Sequence, residues 1–246
     1  MAADVSVPGD AAAALEALLP LLRPIDRTAW MEDLRAWQAK DYRPRTEETF
    51  LQPHQILEDI SSMAGEDAVY VTDVGQHQMW SAQYLHHTAP RQFLTSGGLG
   101  TMGFGYGAAI GAQLALGRQQ RVVMLTGDGS FHMNLNEACT AVSYGLPIIT
   151  VIFNNQVLGM VRQWQTLFYD HRYAATDPCR ATDFVKVAEG FGLKGWRCKT
   201  PQQFREVFEK VLQEDGPVWI DCAIGKDEVV LPMIPGGGGL EDIIMT

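Results

Sequence analysis

The run Ile148-Ile-Thr-Val-Ile-Phe153, bounded by Pro147 and Asn154, constrains this chain more than any other feature. A strand that is apolar at nearly every position must be covered on both faces, as in parallel sheets flanked by helices. Residues 69–72, 122–126 and 217–223 have the same character. Helical segments separate them: 53–63 with Pro at its first turn, 103–116, 134–144 stopped by Gly145, and 183–191 followed by Gly192. Residues 200–214 form another, where Thr200-Pro-Gln-Gln203 reads as a capping box. Such alternation implies βαβ units. It predicts an α/β fold, an open, mostly parallel sheet with helices on both faces. Ligands in such sheets bind beyond the carboxyl ends of the strands, so the loops after Thr72, Thr126 and Phe153 are the candidate site.

The 246 residues divide unevenly. Residues 1–50 hold a short Ala/Leu-rich helix over 11–22, broken near its end by Pro20 and Pro24. A second helix over 27–40 carries Trp30, Leu34 and Trp37, and a polar linker follows over 41–49. Residues 51–225 carry the α/β pattern. The tail, 226–246, contains Leu231-Pro-Met-Ile-Pro235 and then four glycines, which gives it no local reason to fold alone. On sequence physics it is a frayed terminus sooner than a flap. Gly103, Gly107 and Gly111 recur every four residues and leave one helix face bare for close packing or docking.

Acidic residues outnumber basic ones 29 to 19, for a net charge of −10, which disfavours nucleic-acid and anionic-membrane partners. No run of 18 apolar residues predicts a membrane-spanning helix, and the first ten residues do not form a secretory signal. Cys139, Cys179, Cys198 and Cys222 lie far apart, which argues against zinc and iron–sulfur sites and fits free thiols in a reducing cytoplasm.

The chemistry concentrates in two places. Thr126-Gly-Asp-Gly-Ser130 directly follows a strand. There Asp128 can reach a divalent cation, and the backbone N–H groups of Gly129 and Ser130 can face an anion. Taken alone, a tight βα turn with a capping Asp is the plainer reading. Asn154-Asn155 ends the next strand, with 24 residues between it and Gly129, one helix and one strand away. The two turns therefore lie side by side. Mg²⁺ takes about six oxygens, commonly one or two from carboxylates and the rest from phosphates, carbonyls or water. The joint pattern is far more specific than either half, since an Asn pair alone reads as turn chemistry.

Gly127-Asp-Gly129, 24 residues and Asn154-Asn155 resemble the thiamine diphosphate motif of thiamine diphosphate-dependent enzymes. The resemblance is closest to the catalytic subunit of acetohydroxyacid synthase, also called acetolactate synthase. It rests on Asp73-Val-Gly-Gln-His-Gln-Met-Trp80, Ser96-Gly-Gly-Leu-Gly-Thr-Met-Gly-Phe-Gly105, Gly127-Asp-Gly-Ser-Phe-His-Met-Asn134, Asn154-Asn-Gln-Val-Leu-Gly-Met-Val-Arg-Gln-Trp164 and Leu231-Pro-Met-Ile-Pro235, and covers roughly residues 50–246. The resemblance implies that Asp128 and Asn155 ligate Mg²⁺ by side chain and Val157 by its carbonyl. It implies that Gly127, Gly129 and Ser130 hold the diphosphate, with Gln76 and His77 reaching it. Gly100 and Met102 would hold the aminopyrimidine, and Met102 would wedge the cofactor into a bent shape. Leu158, Gly159 and Met160 would complete the cofactor site. Gln76, His77, Met102 and Trp164 would act at the reacting carbon, and the tail would be a flap ordering over the site. By residue type alone, His77 reads as an ordinary surface histidine and Met102, Met160 and Trp164 as core. His54, His86, His87, His132 and His171 have no role in the resemblance.

Two departures stand out. Tyr106-Gly107 occupies the place where the family usually has Leu-Pro, which leaves the local helix start open. The chain also corresponds only to the diphosphate-binding domain, with residues 1–50 similar to the end of the central domain plus a linker. The pyrimidine-binding domain with its glutamate, and most of the FAD-holding central domain, lie outside it. The implied activity is decarboxylation of pyruvate and condensation with a second 2-keto acid, pyruvate or 2-ketobutyrate, in branched-chain amino acid biosynthesis. The implied partners are a second copy or a chain bearing the pyrimidine-binding domain, and a regulatory subunit. A subunit of another split 2-keto acid decarboxylase, or a non-catalytic cofactor-binding module, are the alternatives.

Overall fold

A computed structural model describes residues 3–39 and 49–245, which fall into two compact units, one within 1–43 and one within 44–246. The linker expected over 41–49 lies, apart from Thr49, outside the described residues.

The first unit holds α1 (Ala11–Leu18), a 3₁₀ turn at Leu19–Leu21 and α2 (Thr28–Gln38). Asp10 caps α1 by accepting the Ala13 N–H at 2.9 Å. On α2 the seven-residue spacing puts Trp30 and Trp37 on one face, their rings edge to face with centroids 6.3 Å apart. Neither helix buries a side chain within its unit.

The second unit runs α3 (Pro53–Met63), β1 (Val69–Thr72), α4 (Gln76–Tyr84), β2 (Phe93–Leu94), α5 (Phe104–Leu116), β3 (Val122–Gly127), α6 (Asp128–Phe131), α7 (Ala138–Ser143), β4 (Ile149–Asn154), α8 (Gly159–Phe168), α9 (Phe184–Phe191), β5 (Lys194–Cys198), α10 (Pro201–Val211) and β6 (Val218–Ala223). The strands form one sheet in the order β2-β1-β3-β4-β6-β5, every neighbouring pair parallel. Side chains alternate faces along each strand. Tyr70, Val123, Leu125, Val151, Phe153 and Ile220 pack with α3, α4 and α10 on one side. Val71, Val122, Met124, Ile152 and Trp219 pack with α5, α7 and α9 on the other. Both faces are thus covered, as the apolar run at 148–153 requires. The strand order reverses between β1 and β3, so their carboxyl ends splay apart and leave a crevice.

Several expected elements take a different form. The helix expected over 134–144 is a 3₁₀ turn, Leu135–Glu137, leading into the six-residue α7. α10 ends at Val211 instead of Glu214. Its cap is split: Thr200 accepts from the Gln203 N–H, but the Gln203 side chain reaches back to the Lys199 N–H at 2.9 Å. α4, α8, β2 and β5 were not expected at all.

The glycine stripe divides: Gly103 packs against Met133, where a Cβ would come within 3.2 Å of the Met133 Cβ. Gly107 and Gly111 face open space. A closer approach is made by Gly105, outside the stripe, where a Cβ would lie 3.0 Å from the Asp73 backbone nitrogen and from the Met124 methyl carbon. Tyr106, the departure from Leu-Pro, sits inside a regular α5 that begins at Phe104. It is buried against Phe131 and Trp219 and accepts the Trp219 indole N–H at 3.0 Å.

The tail is docked over its first part. Val230 and Leu231 are buried, and Trp80 Nε1 donates to the Val229 carbonyl at 3.2 Å. Met233 and Ile244 form an antiparallel bridge. All four cysteines are free thiols, Cys198 and Cys222 buried. Among the described residues, no helix is long and apolar enough to cross a membrane.

Candidate active site

Four loops meet at the crevice: those after β1, β2, β3 and β4. They enclose a cleft of about 180 Å³. Gln76, His77, Met102, Gly127, Asp128, Gly129, Ser130, Asn155, Val157, Leu158, Gly159 and Met160 all line it, with Val74, Gly75, Trp80, Phe153 and Val161. Gly100 does not. It lies two residues before Met102 in an exposed turn, its N–H bonded to the Ser96 carbonyl at 3.0 Å. Trp164 is one turn along α8 from Met160, stacks edge to face on Phe168 and is 42% exposed. It lines an adjoining hollow that shares Met160 and Val161 with the cleft.

The asparagine pair is divided. Strand alternation turns Asn154 away from the cleft, where its amide donates to Asp221 Oδ1 at 2.8 Å. Asn155 faces the cleft. Its Oδ1 accepts the Val157 N–H at 3.2 Å in an Asx turn, and its Nδ2 lies 3.4 Å from Gln76 Oε1. Gly159 opens α8 where no side chain fits: a Cβ there would collide with Gln76 Oε1 and come within 2.8 Å of Asn155 Nδ2.

Asp128 is buried, and that burial raises its carboxyl to about 6, against the lowering effect of the Asn155 N–H and of the Arg180 charge. Burial also pushes the His77 imidazole down to about 3, so it is neutral at pH 7. Its Nε2 is buried with no hydrogen-bond partner while the ring lines the cleft.

Three further residues belong to the site and were not singled out from the sequence. Asp73 is buried at the end of β1, and its Oδ1 accepts from the Val74 N–H at 3.0 Å and the Gly103 N–H at 2.8 Å. It thereby pins the Met102 turn, and burial raises its carboxyl. Its place directly after an apolar strand was the available signal. His132 turns Nδ1 to the Asp128 carbonyl and holds Thr182 Oγ1 at 2.7 Å through Nε2, so it braces the loop from behind. Gln163 is a buried amide on α8 bonded to Gln76 at 2.8 Å. Nothing in a mid-helix glutamine announces that.

The residues fit a diphosphate with a divalent cation. The orphaned His77 Nε2 asks for a polar partner from outside the chain. The donor set is one carboxylate, one amide oxygen and backbone groups, and no cluster of three His, Cys, Asp or Glu able to hold a metal exists among the described residues. A cation here needs oxygens from a ligand, as Mg²⁺ with phosphates does.

An open parallel sheet with a phosphate-suited crevice at its switch point defines a cofactor-binding α/β domain. Residues 73–222 match the family described as "Thiamine pyrophosphate enzyme, C-terminal TPP binding domain", and the chain belongs to that family. It is 39% identical over 250 residues to the mitochondrial acetolactate synthase catalytic subunit of Aspergillus candidus, with 98% of this chain and 36% of that protein covered. It is 40% identical to acetolactate synthase of Mycobacterium bovis, with 98% and 41% covered. It is 36% identical to the large subunit of acetolactate synthase isozyme 3 of Escherichia coli, with 99% and 44% covered. The chain thus spans less than half the length of these relatives, and the likeness takes in most of residues 1–50 as well as 50–246. Among solved structures, the thiamine diphosphate-dependent 4-hydroxybenzoylformate decarboxylase of Rhodococcus jostii RHA1 superposes with a TM-score of 0.69 at 27% identity, covering 77% of this chain and 36% of that one.

Proposed function

We propose that this chain is the diphosphate-binding part of a thiamine diphosphate- and Mg²⁺-dependent acetolactate synthase, acting on pyruvate and a second 2-keto acid. The observation that carries the reading is the convergence of Asp128, Asn155 and Val157 with the N–H groups of Gly129 and Ser130 in one cleft beside Gln76 and His77. In this reading Asp128 and Asn155 ligate Mg²⁺ by side chain and Val157 by its carbonyl. Gly127, Gly129 and Ser130 bind the diphosphate. Met102, with Gly100 behind it, supports the aminopyrimidine. Leu158, Gly159 and Met160 close the wall, and Trp164 stands at the substrate entrance. When bound, thiamine diphosphate supplies the carbanion chemistry. The chain binds, orients and keeps water out, and neutral His77 offers a hydrogen bond without a competing charge.

A cleft of about 180 Å³ is smaller than the roughly 300–1,000 Å³ of sites that enclose a ligand of this size. That supports a site shared with a pyrimidine-binding domain, on a second copy or another chain. FAD enters only with a central domain, and the Escherichia coli relatives named as large subunits support a regulatory partner. The likeness to the Rhodococcus decarboxylase supports a second reading, a subunit that releases CO₂ from a 2-keto acid without condensation.

Calorimetric titration with thiamine diphosphate, with and without Mg²⁺, tests the cofactor site. Binding that needs both Mg²⁺ and an intact Asp128 is expected. Equal binding by Asp128→Ala overturns the assignment.

A further inference from the structure

Between the tail and the cleft runs an unbroken line of side-chain amides. Val230 meets Gln163 like a strand neighbour: its N–H donates to Gln163 Oε1 at 2.8 Å, and its carbonyl accepts from Gln163 Nε2 at 3.1 Å. This reciprocal pair decides which end of the Gln163 amide is oxygen, since a flipped amide would set donor against donor and acceptor against acceptor. Gln163 Nε2 also lies 3.2 Å from Met233 Sδ. With its oxygen so placed, Gln163 accepts from Gln76 Nε2 at 2.8 Å, and the same Gln76 nitrogen donates to the Glu228 carbonyl at 2.8 Å. Gln76 must then turn Oε1 toward Asn155, whose Nδ2 lies 3.4 Å away. Asn155 is left with Oδ1 on the side of the Val157 turn.

We infer that Gln163 is a positioning residue of the cofactor site: it takes its orientation from the backbone of docked Val230 and passes it through Gln76, itself held by the Glu228 carbonyl, to Asn155. The inference rests on the cofactor reading above and goes beyond it. Asn155 presents its oxygen to a cation only while the tail holds Gln163 in place, so tail docking and cation-dependent cofactor binding favour each other. Such linkage is reciprocal. Binding of Mg²⁺ with thiamine diphosphate must therefore slow opening of the tail, and Val230 reports it directly because its N–H bonds Gln163.

The test uses the full chain in three forms besides wild type. Gln163→Leu removes both ends of the amide, and Gln163→Glu places a second oxygen against the Val230 carbonyl. Tyr106→Phe is the control, since it deletes a buried hydrogen bond to Trp219 in the core on the α5 face of the sheet, away from the amide line. The readouts are thiamine diphosphate affinity at saturating Mg²⁺, amide exchange at Val230 and melting temperature.

In wild type, adding Mg²⁺ and thiamine diphosphate should slow Val230 exchange at least tenfold. Both Gln163 variants should bind the cofactor about 10–100-fold more weakly, the range for residues that orient metal ligands, and their Val230 exchange should no longer respond. The control should lose melting temperature with affinity unchanged within about twofold. A purely structural Gln163 would behave like the control, and that outcome overturns the inference. So does wild-type Val230 exchange indifferent to bound cofactor, a measurement that needs no variant to fold. Wild type that binds no cofactor at all refutes the cofactor reading itself, and this inference with it.

Discussion

Asp128 and His77 line the same cleft, and burial forces each toward neutrality. Their effects on stability oppose each other. From pH 6.5 down to about 3, the unfolded chain protonates its imidazole while folded His77 stays neutral, so acid costs stability through His77. From about 6 down to 3.8, folded Asp128 holds a proton that the unfolded chain has released, so acid favours the fold through Asp128. The two slopes offset each other between pH 6 and 3.8, and substitution should unmask them. At pH 7 without Mg²⁺, Asp128→Asn should be more stable than wild type by about 2–3 kcal/mol, from a shift of about two pKa units. Thermal unfolding should also show that Mg²⁺ with thiamine diphosphate stabilises wild type but not the variant. Gly159→Ala should expel Gln76 from its place and weaken cofactor binding at least tenfold in the same titration. That Asp128 and Asn155 come together in one cleft was legible in the sequence, because the spacing of their two turns is specific. Asp73 and Gln163 were not, because their roles come from contacts with Gly103, Gln76 and Val230, 30 to 87 residues away.

At the scale of elements, legibility followed burial. β1, β3, β4 and β6 are covered on both faces and read as apolar runs, and α3, α9 and α10 announced themselves by period and cap. β5, Lys-Gly-Trp-Arg-Cys, is an edge strand whose Lys194 and Arg197 belong to the solvent side, so it has no strand signature. α4, beginning Gln-His-Gln-Met-Trp, spends its first turn on the cleft and shows no 3.6-residue apolar period. The glycines of α5 are equivalent in sequence and different in space. Gly105→Ala should destabilise the chain by about 1–3 kcal/mol, because its Cβ meets backbone at Asp73. Gly107→Ala should stabilise it by up to about 1 kcal/mol, because the new methyl enters open space and helix propensity improves. Urea unfolding of both variants checks the pair. Destabilisation by both would return the packing role to the whole stripe.

For the whole molecule, the question is what completes the cleft. One wall carries the polar groups for a diphosphate and a cation, and among the lining residues the only carboxylate is Asp128. In the reading proposed above, a general acid for the far end of the cofactor would come from another surface. α5 offers a seam for it: along its outward side run Phe104, Gly107, Gly111 and Leu114, with no charged residue anywhere in the helix. An exposed apolar face with two glycines lets a second helix approach closely. The chain alone should therefore bind thiamine diphosphate yet form no acetolactate from pyruvate. Turnover should appear when a pyrimidine-binding domain is supplied in trans. Gly111→Leu should leave cofactor affinity unchanged and block that recovery, because the added side chain fills the seam without touching the cleft. Acetolactate formed by the isolated chain would show that the site is complete as it stands. Full recovery with Gly111→Leu would move the docking surface away from α5.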